Sequence, residues 1–135
     1  MKTTQTELQL HTQICEYIRL KYPKTVFNSD LAGSMKLSIN QAKTISKLRS
    51  GRGFPDLVIY EKRGTWSGLF LELKRDGTKL FNSRGEYCTP HLIEQAGMLQ
   101  LLRHRGFMCW FAIGFDDAKQ KIDIYLGDIL EGTNF

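Results

Sequence analysis

The sequence predicts an α/β domain, a central mixed β-sheet flanked by α-helices. Three observations carry this. Helix-compatible and strand-compatible segments follow one another in the order α-β-α-β-β-α-β, with a final segment that reads as helix or strand. Hydrophobic residues make up 41% and charged residues 24% of the chain, a globular composition rather than a collagen-like or disordered one. A length of 135 residues and a mass of 15.6 kDa suit a single domain, residues 1–135, with one core.

The elements follow in chain order. Thr4-Gln5-Thr6-Glu7 and Thr6-Glu7-Leu8-Gln9 each place a hydroxyl three residues ahead of Glu or Gln, as a capping box requires, so a helix starts here. It runs to about Leu20, and Pro23 stops it. Thr25-Val26-Phe27 is a short strand candidate, and the polar stretch Asn28–Lys36 reads as loop. Ser38–Ser50 is helical and weakly amphipathic, ended by Gly51 and Gly53. Asp56–Glu61 and Gly68–Lys74 are strands, and Lys62–Ser67 with Gly64 closes a hairpin between them. Arg75–Cys88 is irregular and polar. Thr89-Pro90 opens a helix, Thr as cap and Pro in its first turn, which ends near Arg105-Gly106. Phe107–Ile113 is a buried strand. In Asp116–Leu126 the two leading acids favour a helix, whereas Ile122, Ile124 and Tyr125 permit a strand.

Composition also excludes several classes. No apolar run is long enough to cross a bilayer and no charged-then-apolar leader opens the chain, so a soluble, cytoplasmic protein without membrane contact is expected. Cys15, Cys88 and Cys109 are odd in number and widely spaced, which suits three reduced thiols rather than a disulfide framework or zinc site. His11, His91 and His104 do not cluster at ligand spacing. There is no nucleophile elbow and no phosphate loop. The net charge of +5 is compatible with a polyanionic partner. Met98, Met108, Trp110 and Phe111 read as core residues.

The chemistry centres on Phe54-Pro55-Asp56 and Leu71-Glu72-Leu73-Lys74. Side chains alternate along a strand, so Glu72 and Lys74 share one face while Leu69, Leu71 and Leu73 fill the other. A hairpin turn near Gly64-Thr65 brings Asp56 opposite roughly residue 73, beside Glu72 and Lys74, at about 4.5–5.5 Å between opposed residues. Two carboxylates this close repel unless a cation neutralises them, and Asp and Glu oxygens suit Mg²⁺ or Mn²⁺. Lys74 can hold a water or steady a phosphate. Glu7 shares a helical stripe with His11, Ile14 and Ile18, which puts a third carboxylate at the start of a buried face. Gln95 lies at the edge of the stripe Leu92, Ala96 and Leu99, where its amide can bond a ligating carboxylate.

Pro55-Asp56, Glu72-x-Lys74, Glu7 and Gln95 together resemble the PD-(D/E)xK nucleases. Gly51-Arg52-Gly53-Phe54-Pro55-Asp56, Gly68–Arg75 and Glu94-Gln95 with Leu99–Gly106 narrow the resemblance to the virus-type replication-repair nuclease (VRR-NUC) family, in its stand-alone phage form. It extends from Thr6 to Leu126. The resemblance implies a restriction-endonuclease-like core and a metal-dependent endonuclease acting on DNA phosphodiesters, leaving 5′-phosphate and 3′-hydroxyl ends. It implies Glu7, Asp56 and Glu72 as metal ligands or acids around the metal, the Leu73 carbonyl as a further ligand, Lys74 beside the attacking water and Gln95 in support. It also implies a homodimer acting on branched DNA in the manner of a Holliday-junction resolvase, in a bacterial or phage-infected cell. A nickase, a flap-processing nuclease and a non-catalytic DNA-binding accessory protein are the alternatives. The loop Asn82–Thr89 is longer than the family pattern leads one to expect.

Lys36, Lys43, Lys47, Arg49 and Arg52 lie in a segment, Leu31 to Pro55, without Asp or Glu, and can follow a phosphate backbone. Arg75 and Lys79, with Arg84, extend this charge past the Glu-x-Lys strand. No groove-reading helix is recognisable, so recognition of DNA shape is expected over recognition of sequence.

Overall fold

A four-stranded sheet, in the spatial order β1-β2-β3-β4, organises the computed structural model, which describes residues 5–31 and 36–127. Its strands are β1 (Phe27–Ser29), β2 (Leu57–Ile59), β3 (Leu69–Lys74) and β4 (Met108–Ile113). The first three run antiparallel to their neighbours, and β3 and β4 run parallel. The helices are α1 (Glu7–Lys21), α2 (Ile39–Lys47), α3 (Pro90–His104) and α4 (Gly114–Leu126). The mixed sheet and its order of elements are those expected. The expected capping signal at Thr4 lies outside the described residues, as does part of the loop Asn28–Lys36.

Local chemistry sets each boundary. The Thr6 hydroxyl accepts the Gln9 N–H at 3.1 Å, and the Gln9 side chain accepts the Thr6 N–H at 2.8 Å. This reciprocal box satisfies N–H groups that a helix start otherwise leaves unpaired. Ser38 and Gln41 repeat the box at α2, and Thr89 caps α3. The ambiguous last segment is helix: Asp116 and Asp117 sit in its first turn, favourable at the positive end of the helix dipole. Its buried residues Ala118, Ile122, Tyr125 and Leu126 recur at helical spacing.

The two faces of the sheet differ. Leu57, Ile59, Leu69, Leu71, Leu73, Met108 and Ala112 form one core with Leu10, Ile14 and Ile18 of α1 and Ala118, Ile122, Tyr125 and Leu126 of α4. Each fully buried aliphatic side chain there contributes about 1.5–3 kcal/mol. The Tyr17 and Tyr22 hydroxyls both donate to Asp123, which ties α1 to α4. The other face carries α3, whose buried residues are Leu92, Gln95 and Leu99.

Several expectations need correcting. The first strand begins two residues late, at Phe27, because the Thr25 N–H is used in the turn after α1, bonding Tyr22 O at 3.0 Å. The hairpin register differs by one: Leu57 pairs with Leu71, which sets Asp56 level with residue 72 rather than 73. Gln95 lies within the buried stripe of α3 and Ala96 at its edge, the reverse of the expected order. Of the four residues read as core, Met108 is buried, whereas Met98, Trp110 and Phe111 are half-buried. The three cysteines are free, as expected. Among the described residues no helix is long and apolar enough to cross a membrane.

Candidate active site

The site forms where β2 and β3 part. Asp56 immediately precedes β2, and Leu57 beside it points into the main core. Alternation therefore places Asp56 on the opposite face, the face of Glu72. The Leu73 N–H donates to Asp56 Oδ2 at 3.0 Å, which fixes the carboxylate against β3. Asp56 O in turn accepts the Asp30 N–H at 2.6 Å, so the chain leaving β1 is tied to the same point.

Glu72 is 3% exposed and Asp56 7% exposed, unusual burial for acids. Lys74 Nζ stands 3.7 Å from Glu72 Oε1. Gln95 Nε2 donates to the same oxygen at 2.8 Å. Glu72 Oε2 and Gln95 Oε1 are buried without a hydrogen-bond partner. Burial pushes the Glu72 carboxyl well above the usual range, and the charge of Asp56 adds to the shift. Burial raises Asp56 as well, partly offset by Glu72, His11, Leu73 and Lys74.

These groups line one cavity of about 250 Å³, together with Glu7, Asp30, Arg49, Gly53, Leu73 and His91. Glu7, half-buried in the first turn of α1, faces it as the helical stripe predicts. The structure thus gathers Glu7, Asp56, Glu72, Leu73, Lys74 and Gln95 around one space. It does not close the three acids into a cage: among the described residues no group of three or more His, Cys, Asp or Glu side chains is set to hold a metal ion. The tight unit is the Asp56–Glu72 pair.

That pair fits a hard divalent cation. Two buried carboxylates stand against the single ammonium of Lys74, and one carboxylate oxygen lacks a partner. Leu73, whose N–H holds Asp56, lines the same cavity wall.

The expected phosphate-binding residues Lys36, Lys43, Lys47, Arg52, Arg75 and Lys79 are all exposed. Arg52 stands 3.8 Å from Glu94. Arg49 is different: it lines the cavity and pairs with Asp30 at 2.7 Å. Helix α2, which carries Lys43 and Lys47, buries no residue.

Sequence reading missed Asp30 and His11. Asp30 falls in the stretch that reads as loop and lies just past β1, whose pairing of Ser29 with Leu57 makes residue 30 the neighbour of Asp56. His11 is buried, bonds Ser29 Oγ through Nδ1 at 2.5 Å, and feels the charges of Asp56, Glu7 and Asp30. Burial nevertheless lowers its pKa. Its place in the α1 stripe was the available signal. Gly53 is the third constraint that sequence left open. It has a φ of +81°, and a Cβ there would lie 2.8 Å from Glu94 O and 3.0 Å from Gln95 Cα.

No family profile matches the chain, and no curated protein matches it. Among solved structures it is similar to one described as a VRR_NUC domain protein, with a TM-score of 0.65 and 25% identity, over 93% of this chain and 91% of that one. The likeness agrees with the mixed sheet, and it supports the family resemblance carried by the Asp56 and Glu72-x-Lys74 motifs.

Proposed function

With the VRR-NUC resemblance in motif and fold as premise, we propose that the chain is a metal-dependent endodeoxyribonuclease that hydrolyses phosphodiester bonds in branched DNA. Its nearest functional description is a Holliday-junction resolvase working as a homodimer. The observation that carries this reading is the buried Asp56–Glu72 pair beside Lys74, with Glu72 Oε2 unpartnered.

Asp56, Glu72 and the Leu73 carbonyl would hold Mg²⁺ or Mn²⁺, with Glu7 as an outer acid facing the same cavity. When bound, the cation supplies positive charge to the scissile phosphate and acidifies water. The protein supplies the rest. The Leu73 N–H and Gln95 amide fix the two carboxylates, so their geometry costs little reorganisation during reaction. Lys74 brings an ammonium to the cavity wall, where it orients the attacking water and stabilises charge that grows on the phosphate. The exposed lysines and arginines bind flanking phosphates without reading bases. A homodimer would set two such sites across a two-fold axis, one for each strand to be cut.

The test uses labelled four-way junction, flap and linear duplex DNA, incubated with Mg²⁺, Mn²⁺ or EDTA. Paired symmetric nicks across the junction in the presence of metal are expected. Single nicks on flaps would favour a flap nuclease, and binding without cutting under every metal would favour the accessory protein. Light scattering of the free protein reads the dimer separately.

A further inference from the structure

Residues 80–88 form a small closed hairpin between the Glu-x-Lys strand and α3, the two elements that supply Lys74 and Gln95. Cys88 N bonds Leu80 O at 2.8 Å, and Asn82 N bonds Glu86 O at 2.8 Å. The Asn82 side chain accepts the N–H groups of Arg84 and Glu86 at 2.9 and 3.1 Å, and Gly85 turns the chain at a φ of +77°. This is a built element rather than a slack connection.

The hairpin extends a ladder of rings. Phe111, level with Glu72 in the β3–β4 register, lies 6.1 Å from Tyr87 between ring centroids. Tyr87 lies 4.6 Å from Phe81, tilted by 32°. Phe81 ends the ladder and is 44% exposed. Rings thus run from beside the catalytic pair to the surface, and the last one has no protein ring beyond it among the described residues. Lys79 and Arg84 flank it, both exposed, and Glu86, the single acid between Gly77 and Ile93, is paired with Arg84 at 3.2 Å.

We propose that this hairpin is a base-stacking platform, on which Phe81 receives an unstacked base at a DNA branch point while Lys79 and Arg84 meet the adjoining phosphates. A nucleic-acid base has the flat π-face that continues a ring ladder, and every base has one. The flanking positive charge favours a polyanion over an apolar protein surface. The ring is already held in place, so little conformational entropy is lost on binding. In a linear duplex all bases are stacked, so the platform discriminates branched from unbranched DNA. The inference rests on the proposed function and supplies its structure selectivity.

The test is binding, in Ca²⁺ to prevent cutting, of a four-way junction with 2-aminopurine at the branch and of a linear duplex of the same length. F81A is expected to lower the ratio of junction to duplex affinity about tenfold and to abolish the change in 2-aminopurine fluorescence seen with the unaltered protein. F81L, which keeps apolar bulk without a ring face, should behave as F81A, and F81W should retain both signals. Circular dichroism confirms that each variant is folded. An unchanged ratio in F81A, an equal loss on both DNAs, or an unchanged ratio and fluorescence signal in F81L would overturn the platform while leaving the nuclease reading intact. Failure of the unaltered chain to bind any DNA would overturn both.

Discussion

Gln95 Nε2 donates to Glu72 Oε1 at 2.8 Å, and Glu72 Oε2 and the Gln95 amide oxygen are both buried without a partner. A buried polar atom left unpaired costs about 1–3 kcal/mol, so two together in one cavity mark a place arranged for something further. The pair also ties the helix on one face of the sheet to the strand that carries Glu72. Gln95 belongs to the buried stripe of α3, and its amide donates to the Glu72 carboxylate.

Glu72 and Lys74 are expected to be essential for cutting and dispensable for binding. E72Q and K74A should each lower the cleavage rate by about a hundredfold or more, with junction affinity within about threefold of the unaltered protein. Gel-shift and single-turnover assays read the two quantities. Cleavage by either variant at the original rate would refute the site.

Gln95 acts through Glu72. Q95A removes the donor to Oε1 and is expected to slow cleavage by about 10–100-fold while weakening the response to metal. A titration of activity against Mn²⁺ separates these effects. Loss of rate with no change in metal dependence would contradict the positioning role.

Gly53 is expected to tolerate no side chain. In G53A the new Cβ meets the backbone of Glu94 and Gln95, and the positive φ adds strain. Overpacking costs about 1–3 kcal/mol and the left-handed conformation about 1–2 kcal/mol more. Urea denaturation should show a loss of at least about 2 kcal/mol. G64A, at a position with open space but φ of +58°, carries the conformational cost alone and should lose less.

Without metal, the acid pair makes stability depend on pH. The folded-state pKa of Glu72 is raised from the ordinary 4.5, by burial first and by Asp56 second, and Asp56 shifts in the same direction. The folded protein therefore binds more protons than the unfolded chain. The stabilisation is fully present below the unfolded value and is lost as pH rises through the folded one. In EDTA the melting temperature should fall from about pH 5 up through the folded-state value of Glu72, about 9, more steeply for the unaltered protein than for E72Q. A slope unaffected by E72Q would place the titration elsewhere.

Divalent metal should reverse that loss. Saturation at about a hundred times the dissociation constant stabilises by about 2.7 kcal/mol, visible as a rise in melting temperature that EDTA removes. E72Q and D56N should blunt the rise. An equal rise in those variants would show that metal binds away from the Asp56–Glu72 pair.

Much of this was legible from residue order. The capping box at Thr6, the Thr89-Pro90 start and the alternation in Leu69–Lys74 are local signals, and each depends on neighbours within four residues. Those elements appear where expected. The sharing of a face by Glu72 and Lys74 is similarly local, because strand geometry alone dictates it. The late start of β1, the one-residue change in hairpin register and the burial of Gln95 were not legible. Each depends on partners far away in sequence: Phe27 on Ile59, Leu57 on Leu71, Gln95 on Glu72.

The sequence by itself determined the kinds of elements, their order and the chemical identity of the acids and ammonium, because periodicity and capping act over short range. The hairpin already brought Asp56 beside Glu72 in the sequence, but only the tertiary structure decided their register and which further acids share the cavity. It sets Asp56 and Glu72 together, leaves Glu7 and Asp30 as walls of the same cavity, and turns the polar stretch before α3 into a hydrogen-bonded hairpin carrying Phe81. The physical reason is that sheet register and helix docking are fixed by burying apolar surface across the whole domain, and the positions of the charged groups follow from that packing.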